Sequence, residues 1–317
     1  MGSKKGLEMG FSWIFGLLVG AAILGLAIYG VIRLVETSQK EIDIKTAQNF
    51  LNVLDPLQTT IQEGSGDSIS LPVQTKIYTS CDLAGDFGNT LLEISQQTGL
   101  GGKWSKKSNA IRKNNAYLFS ENEIEGKKIF VFIFSLNMPF KVGDMIISYT
   151  DNYCFVSAPD EISKELRGLI TGENQNIVLT SSKTSCPKES KTVCFSGGSC
   201  NISVICFDAE CSQGSVIKNG TTNYFSDKLM YSAIFSSKEN YECNVKRLMK
   251  RLNYLSDIYL QKSQFVASKG CNTGLTPDMQ ILSDSAKNYR QLGDLGNIKI
   301  LSENIKDKNS ALSCHLF

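Results

Sequence analysis

Residues 4–34 read KKGLEMGFSWIFGLLVGAAILGLAIYGVIRL, the only long apolar run in the chain. Whether it is a removed signal, a retained anchor or an assembly helix decides the architecture and compartment of everything after it. From Phe11 to Ile32 it has 22 residues without a charge. As a helix rising ~1.5 Å per residue, this is about 33 Å long, close to the ~30 Å hydrocarbon layer. A cleaved signal has an apolar region of only about 7–15 residues, followed by a small-x-small site. Here the run is longer, and YGVIRLVETSQ, residues 29–39, offers no such site. A buried core helix is seldom apolar on all sides for six turns. The reading is a cytoplasmic N-terminus (1–10) and a retained transmembrane helix (11–33). Within it Gly16 and Gly20 lie one turn apart, Ala21 and Gly25 repeat the spacing, and Ala27 returns near the first face. Small residues let helix backbones approach closely in lipid, so this face is a candidate for packing on another copy or another membrane protein.

The rest of the chain fixes the compartment. All ten cysteines, Cys81, Cys154, Cys186, Cys194, Cys200, Cys206, Cys211, Cys243, Cys271 and Cys314, follow the span. An even number confined to that side implies disulfides in an oxidising compartment. The sequons at Asn201 and Asn219 fall in the same region and mark candidate glycan sites. Flanking lysines and arginines are too evenly divided to orient the span, so the cysteines set the reading: N-terminus inside, C-terminal domain outside. With 33 Lys+Arg against 31 Asp+Glu the net charge is +2, which argues against a nucleic-acid binder.

Beyond the span, Ile44, Ala47, Phe50, Leu51, Leu54, Leu57 and Ile61 recur in steps of three and four, predicting a juxtamembrane amphipathic helix over 34–62. Pro56 is placed to kink it. EGSGDS (63–68) reads as a linker or turn. Residues 63–317 form the ectodomain. SISLPVQTKIYTSC reads as extended, FGNTLLEISQQTGLGG as a short helix closed by glycines, and KKIFVFIFSL as a strand. KVGDMIISYT and NYCFVSA continue an antiparallel meander. APDEISKELRGLI starts a helix with Pro159 near its first turn. Residues 176–226 hold short Cys-rich strands, with KNGT as a hairpin turn. Residues 238–317 are helical, with one stripe through Val245, Leu248, Met249, Leu252, Leu255 and Tyr259. A second runs from Met279 to Ile305 and is weakened at Gly293 and Gly296.

Few motifs carry chemistry. Spacings of Cys194-x5-Cys200-x5-Cys206-x4-Cys211 lack the close pairs of zinc sites, so no metal or cofactor is expected. Pairing is open from sequence; the expectation is that Cys243 and Cys271 tie the C-terminal helices and Cys314 pins the tail to a neighbour. A triad or Cys-His site would have to use His315, the one histidine. Glu121, Glu123 and Glu125 read as a solvated polar loop rather than an acid/base pair. NVKRLMKRLNY presents Lys246, Arg247, Lys250 and Arg251 as a basic face opposite Val245, Leu248 and Leu252. The face is either simply solvated or in contact with acidic headgroups or an acidic partner.

SKKGLEMGFSWIFGLLVGAAILGLAIYG resembles the class III, type IV pilin-like leader and helix of archaeal surface filaments. That resemblance implies processing after Gly6 and a helix entering a filament core. It covers about 60 residues; Glu8 sits closer to the cut than the family's acid, and the chain ends in helices rather than a sheet. FSWIFGLLVGAAIL, ENYECNVKRLMKRL and SALSCHLF make the chain similar to uncharacterised single-pass surface proteins of small-genome archaea. The fold expected is α+β: a transmembrane helix continuing into an amphipathic helix, then a mixed antiparallel-sheet ectodomain with disulfides and a helical C-terminal segment. The function expected is a membrane-anchored cell-surface structural or interaction protein, not an enzyme. Alternatives are a minor pilin-like subunit and a tethered ectoenzyme using carboxylates. The expected partners are the lipid bilayer, other membrane or surface proteins and glycans on asparagine, without nucleic acid.

Overall fold

The computed structural model describes residues 11–60, 66–97, 102–170, 176–195, 199–271 and 273–317; side chains at 11, 12, 36 and 53–60 fall outside the description. Gly6 and the rest of the leader lie outside the described residues, as do residues 63–65 of the expected linker and the glycines of TGLGG at 99 and 101.

Helix α1 (Phe11–Thr60) runs unbroken for 50 residues, through Pro56. It is long and apolar enough to cross a membrane. Its two halves meet different surroundings. Trp13 to Val35 are exposed along the helix except for half-buried Gly30. Further along, Ala47, Phe50 and Leu51 are buried, as the stripe predicts, while Ile44 is only half-buried and Asp43 takes the centre of the face. Leu54, Leu57 and Ile61 lie outside the described side chains.

The buried half of α1 packs on a six-stranded sheet in the order β3-β2-β1-β5-β6-β4. Its strands are β1 (Gly66–Asp82), β2 (Asn89–Gln96), β3 (Ile111–Asn114), β4 (Tyr117–Phe119), β5 (Glu123–Asn137) and β6 (Lys141–Tyr149). Gly66 to Ser68, expected in a linker, open β1. β5 sits centrally, paired antiparallel with β1 and β6. It is apolar on both faces because both are covered. Ile129, Val131 and Ile133 meet α1's cluster, while Phe130, Phe132 and Phe134 meet the helices on the other side. The sheet cannot be flat. Its edge strands β3 and β4 are joined through only Asn115 and Ala116. Three Cα–Cα steps span at most ~11 Å, whereas six flat strands would hold the edges about 24 Å apart. The sheet therefore curls, and α1 touches strands toward both ends of it, β2, β3 and β6.

NTLLEISQ, expected as a helix, is strand β2. Thr90, Leu92 and Ile94 point to the core at a period of two, and the segment pairs with β1 on one side and β3 on the other. Two-sided pairing satisfies its backbone better than a short isolated helix would. The antiparallel meander holds for β5 and β6, but β7 (Tyr153–Val156) leaves it. It joins a second six-stranded sheet, β12-β11-β10-β9-β7-β8, where it runs parallel to both neighbours. The other strands there are β8 (Ile177–Thr180), β9 (Lys191–Cys194), β10 (Ile202–Cys206), β11 (Gln213–Lys218) and β12 (Thr221–Ser226). The expected hairpin joins β11 to β12, with Asn219 at φ 50° and Gly220 at φ 73°. Positive φ at both central residues is what a type I′ turn requires.

Helix α2 (Asp160–Leu169) forms where expected, with Pro159 at the position just before it. Helix α3 (Leu229–Phe235) is buried along its whole length and joins the sheets. The Phe235 ring lies 5.2 Å from Phe132 and 4.8 Å from Tyr149 in the first sheet, and 4.4 Å from Tyr153 in the second. Helix α4 (Lys238–Ser268) carries the first predicted stripe; α5 (Thr276–Lys287) and α6 (Leu295–Ser310) carry the second, split near its glycines.

All ten cysteines are paired: Cys81–Cys243, Cys154–Cys186, Cys194–Cys200, Cys206–Cys211 and Cys271–Cys314. The disulfides point to an extracytoplasmic domain. Cys271 bonds the tail cysteine, and the expected Cys243–Cys271 bridge does not form. Cys243 lies near the start of α4 and Cys271 beyond its end, about 42 Å apart along one helix, against the ~7 Å Cα limit for a disulfide. On the outer face of the second sheet, Cys154, Cys194 and Val156 make a small cluster of their own with Cys186 and Cys200.

Four phenols are sealed between these layers. Burial pushes Tyr149, Tyr153, Tyr231 and Tyr241 above the usual tyrosine range. Tyr241 donates to Tyr224 O (2.7 Å) and Tyr231 to Glu165 (2.8 Å). Tyr149 and Tyr153 have no hydroxyl partner among the described residues. A folded pKa raised above the unfolded value of ~10 means the unfolded chain releases these protons first. Stability is present below about pH 10 and lost above it, by up to ~1.4 kcal/mol per pH unit for each phenol. In an alkaline titration, these tyrosines should ionise together with loss of near-ultraviolet circular dichroism, not before it. Free ionisation of all eleven tyrosines in a still-folded protein would contradict this.

Candidate interaction surface

The basic segment of α4 divides in two. Arg247 is not on the solvated face: it is fully buried. Spacings of four and three residues put Asn240, Asn244 and Arg247 on one side of α4, facing the edge strand β4. Asn240 Nδ2 donates to Ser120 O, Asn244 Nδ2 to Leu118 O and Arg247 Nη1 to Ala116 O, each at 3.0 Å. Three side chains thus satisfy alternate carbonyls that an edge strand otherwise leaves bare. Arg247 also reaches Phe87 O, Gly88 O and Thr90 Oγ1, where the sheet's two ends approach each other. Burial lowers its pKa to about 10, so it remains charged at neutral pH.

The other three cations face outward. Lys250 reaches Leu83 O at 3.2 Å, and Arg251 reaches Asn115 Oδ1 at 3.3 Å and lies over Phe87. Lys246 stands on the saddle between two open cavities. One, of 480 Å³, is lined by Tyr224 of β12, Glu242 of α4 and residues 289–293 after α5. The second, of 450 Å³, is lined by the β1–β2 turn at Leu83, Gly85 and Asp86, by Lys250 and Tyr254, and by Lys287. Lys246 and Tyr289 line both, so the two form one groove along α4. Lys246, Lys287 and Arg290 make no side-chain ion pair among the described residues. Of the groove's acids, Glu242 is 3.8 Å from Lys238; Asp86 is the other. The groove is therefore cationic, with tyrosine faces at 224, 254 and 289. The sequence presents Lys246, Arg247, Lys250 and Arg251 as one set, of which Lys246 and Lys250 line the groove. Tyr224, Lys287 and Arg290 come from elements that only the tertiary fold brings to α4.

The other sequence candidates lie elsewhere. Glu123 and Glu125 are in β5, not in a loop, at 2.8 Å and 3.5 Å from Lys76. Glu121 pairs with buried Lys218, whose ammonium also donates to Ile234 O and Ser236 O. Burial lowers the Lys218 pKa, with Glu121 opposing. Each carboxylate is thus held by a lysine rather than by another acid. His315 Nδ1 lies 2.8 Å from Asn309 O, beside disulfide-bonded Cys314. Among the described residues, no cluster of ligating side chains could hold a metal ion. Asn201 is exposed, but its Oδ1 accepts from Thr192 N and Oγ1, both at 2.9 Å. Asn219 stands exposed at the hairpin tip. In the apolar half of α1, Gly16, Gly20, Ala21, Gly25 and Ala27 are all exposed; a Cβ added at any of the three glycines would meet no atom within 4 Å.

The chain matches no protein-family profile, and no curated protein or solved structure matches it.

Proposed function

We propose that this is a membrane-tethered surface protein that works by binding rather than catalysis, anchored N-terminus in with its disulfide-bonded head outside. One observation carries the reading. A single helix passes from a half exposed on every side to a half packed in a head whose cysteines are all paired. Unpaired apolar surface on that scale needs a cover, and lipid covers it without further partners. The groove along α4 supplies the binding surface, and its cations and tyrosines suit an extended anionic ligand. The test uses full-length protein in nanodiscs with poly-glutamate as the probe. Binding is expected at low salt and should weaken at least about ten-fold in K246E/K287E/R290E, since close charge pairs are each worth ~1 kcal/mol or more. An unchanged melting temperature would show that the variant is folded. No binding by the parent, or equal binding by that folded variant, would overturn the groove's role.

The pilin-like reading is favoured by the same unbroken helix, since a filament core would also cover the exposed half. Intact mass of the native protein separates the two. A chain beginning at Leu7 supports the filament subunit, and one retaining residues before Gly6 rejects it.

A further inference from the structure

We propose that the loop from Gly102 to Lys107, GKWSKK, is a second membrane contact that docks on anionic lipid headgroups beside the exit of α1. The inference rests on the anchor reading given above. The loop lies far from the span in sequence but is pinned to it in space. Ser105 Oγ donates to Asp43 Oδ2 at 2.7 Å, and Gln39 Nε2 donates to Asp43 Oδ1 at 3.0 Å. The loop's own geometry is fixed by the sheet: Ser105 N donates to Gln96 O at 2.8 Å, and Trp104 bridges to Gln97.

Its level relative to the bilayer follows from helix geometry. The apolar exposure of α1 continues to Val35, 61% exposed. From Ile32, Val35 is about 4–5 Å further along the axis and Gln39 about 10 Å. The interfacial layer on each side of the hydrocarbon is ~5–8 Å thick. Val35, Gln39, Lys40, Trp104 and Lys106 line one cavity of 220 Å³, so the loop meets α1 at that level. Trp13 sits at the opposite end of the apolar run, and Arg33 Nε donates to Tyr29 OH at 3.1 Å near this end. Aromatic and basic residues at both ends are the pattern of interfacial anchoring.

The charge balance favours an anion. The loop brings Lys103, Lys106 and Lys107 without an acid. Trp104 is half-buried, with the Lys76 ammonium 5.0 Å from its ring, and the Lys107 ammonium stands 3.5 Å from the ring of Tyr78. Polybasic segments next to a membrane are drawn to an anionic lipid surface.

The chain has two tryptophans, which makes the test direct. Full-length W13F, reporting Trp104, and W104F, reporting Trp13, are placed in nanodiscs of phosphatidylcholine alone or mixed equally with phosphatidylglycerol. Chain-brominated lipid should quench Trp13 in both compositions, which reports the anchor by itself. Headgroup-nitroxide lipid should quench Trp104 at least about two-fold more in the anionic discs. K103E/K106E/K107E in the W13F background should remove that difference. Equal Trp104 quenching in the two compositions, with Trp13 quenched, would overturn the headgroup contact and leave the anchor standing. An unquenched Trp13 would overturn both.

Discussion

Replacing Arg247 with alanine is expected to destabilise the head by about 3–5 kcal/mol. The guanidinium is fully buried and, among the described residues, has no carboxylate within hydrogen-bond reach. It donates instead to Phe87 O (2.9 Å), Gly88 O (3.3 Å), Ala116 O (3.0 Å), Thr90 Oγ1 (3.0 Å) and Asn244 Oδ1 (2.7 Å). A buried ion pair can be replaced by an apolar pair at little cost because both partners go. Backbone carbonyls cannot be removed, so here the acceptors stay behind unpaired. Arg247→Met separates the two contributions. It keeps the stem packed beside the Tyr117 ring, 4.8 Å from the guanidinium carbon, yet should still lose about 2 kcal/mol or more. Arg247→Lys should also fall short, because one ammonium cannot serve a fork of five donors. Chemical denaturation in detergent, followed by near-ultraviolet circular dichroism, reads these values. A methionine variant as stable as the parent would show that the hydrogen bonds contribute nothing net.

The second large effect is the loss of the bridge between β1 and α4. Cys81 and Cys243 are separated by 162 residues, so their disulfide removes far more freedom from the unfolded chain than Cys206–Cys211, separated by 5. On a chain-entropy account the first contributes about 5 kcal/mol and the second about 2. C81A/C243A should therefore be markedly less stable than C206A/C211A in the same denaturation series. Equal losses, or the reverse order, would mean that local packing rather than chain entropy sets the contribution of each bridge.

Some of this architecture is written in local sequence. The 22 uncharged residues before Arg33, the β-branched and aromatic core of β5, Asn219-Gly220 and the stripe beginning at Val245 each carry their own periodicity or turn chemistry. Other elements depend on partners far along the chain. NTLLEISQ contains adjacent leucines that fit a helix or a strand, and pairing with β1 and β3 decides between them. NYCFVSA follows β6 closely, yet its parallel partners β8 and β9 draw it into another sheet. In the candidate surface, Arg247 is surrounded by exposed cations in sequence and reads as one of them. The signal that distinguishes it is Asn240, Asn244 and Arg247 at helical spacing, a polar stripe beside an apolar one. That stripe has meaning only once the bare carbonyls of β4 are known. The GKWSKK loop carried its own clue, a tryptophan among lysines. What sequence lacks is the hydrogen bond from Ser105 to Asp43 that brings it to the end of the span.

The central claim is an anchored protein with its head in an oxidising space. The most direct measurement is thiol labelling on intact cells with a membrane-impermeant maleimide, read by mass. Without reduction, no cysteine should be modified, even after denaturation. After a membrane-impermeant reductant is added to the intact cells, thiols of the head should become reactive before lysis, on a chain that stays in the membrane fraction. Ten free thiols in the untreated protein, or thiols that become reactive only after the cells are lysed, would contradict the account.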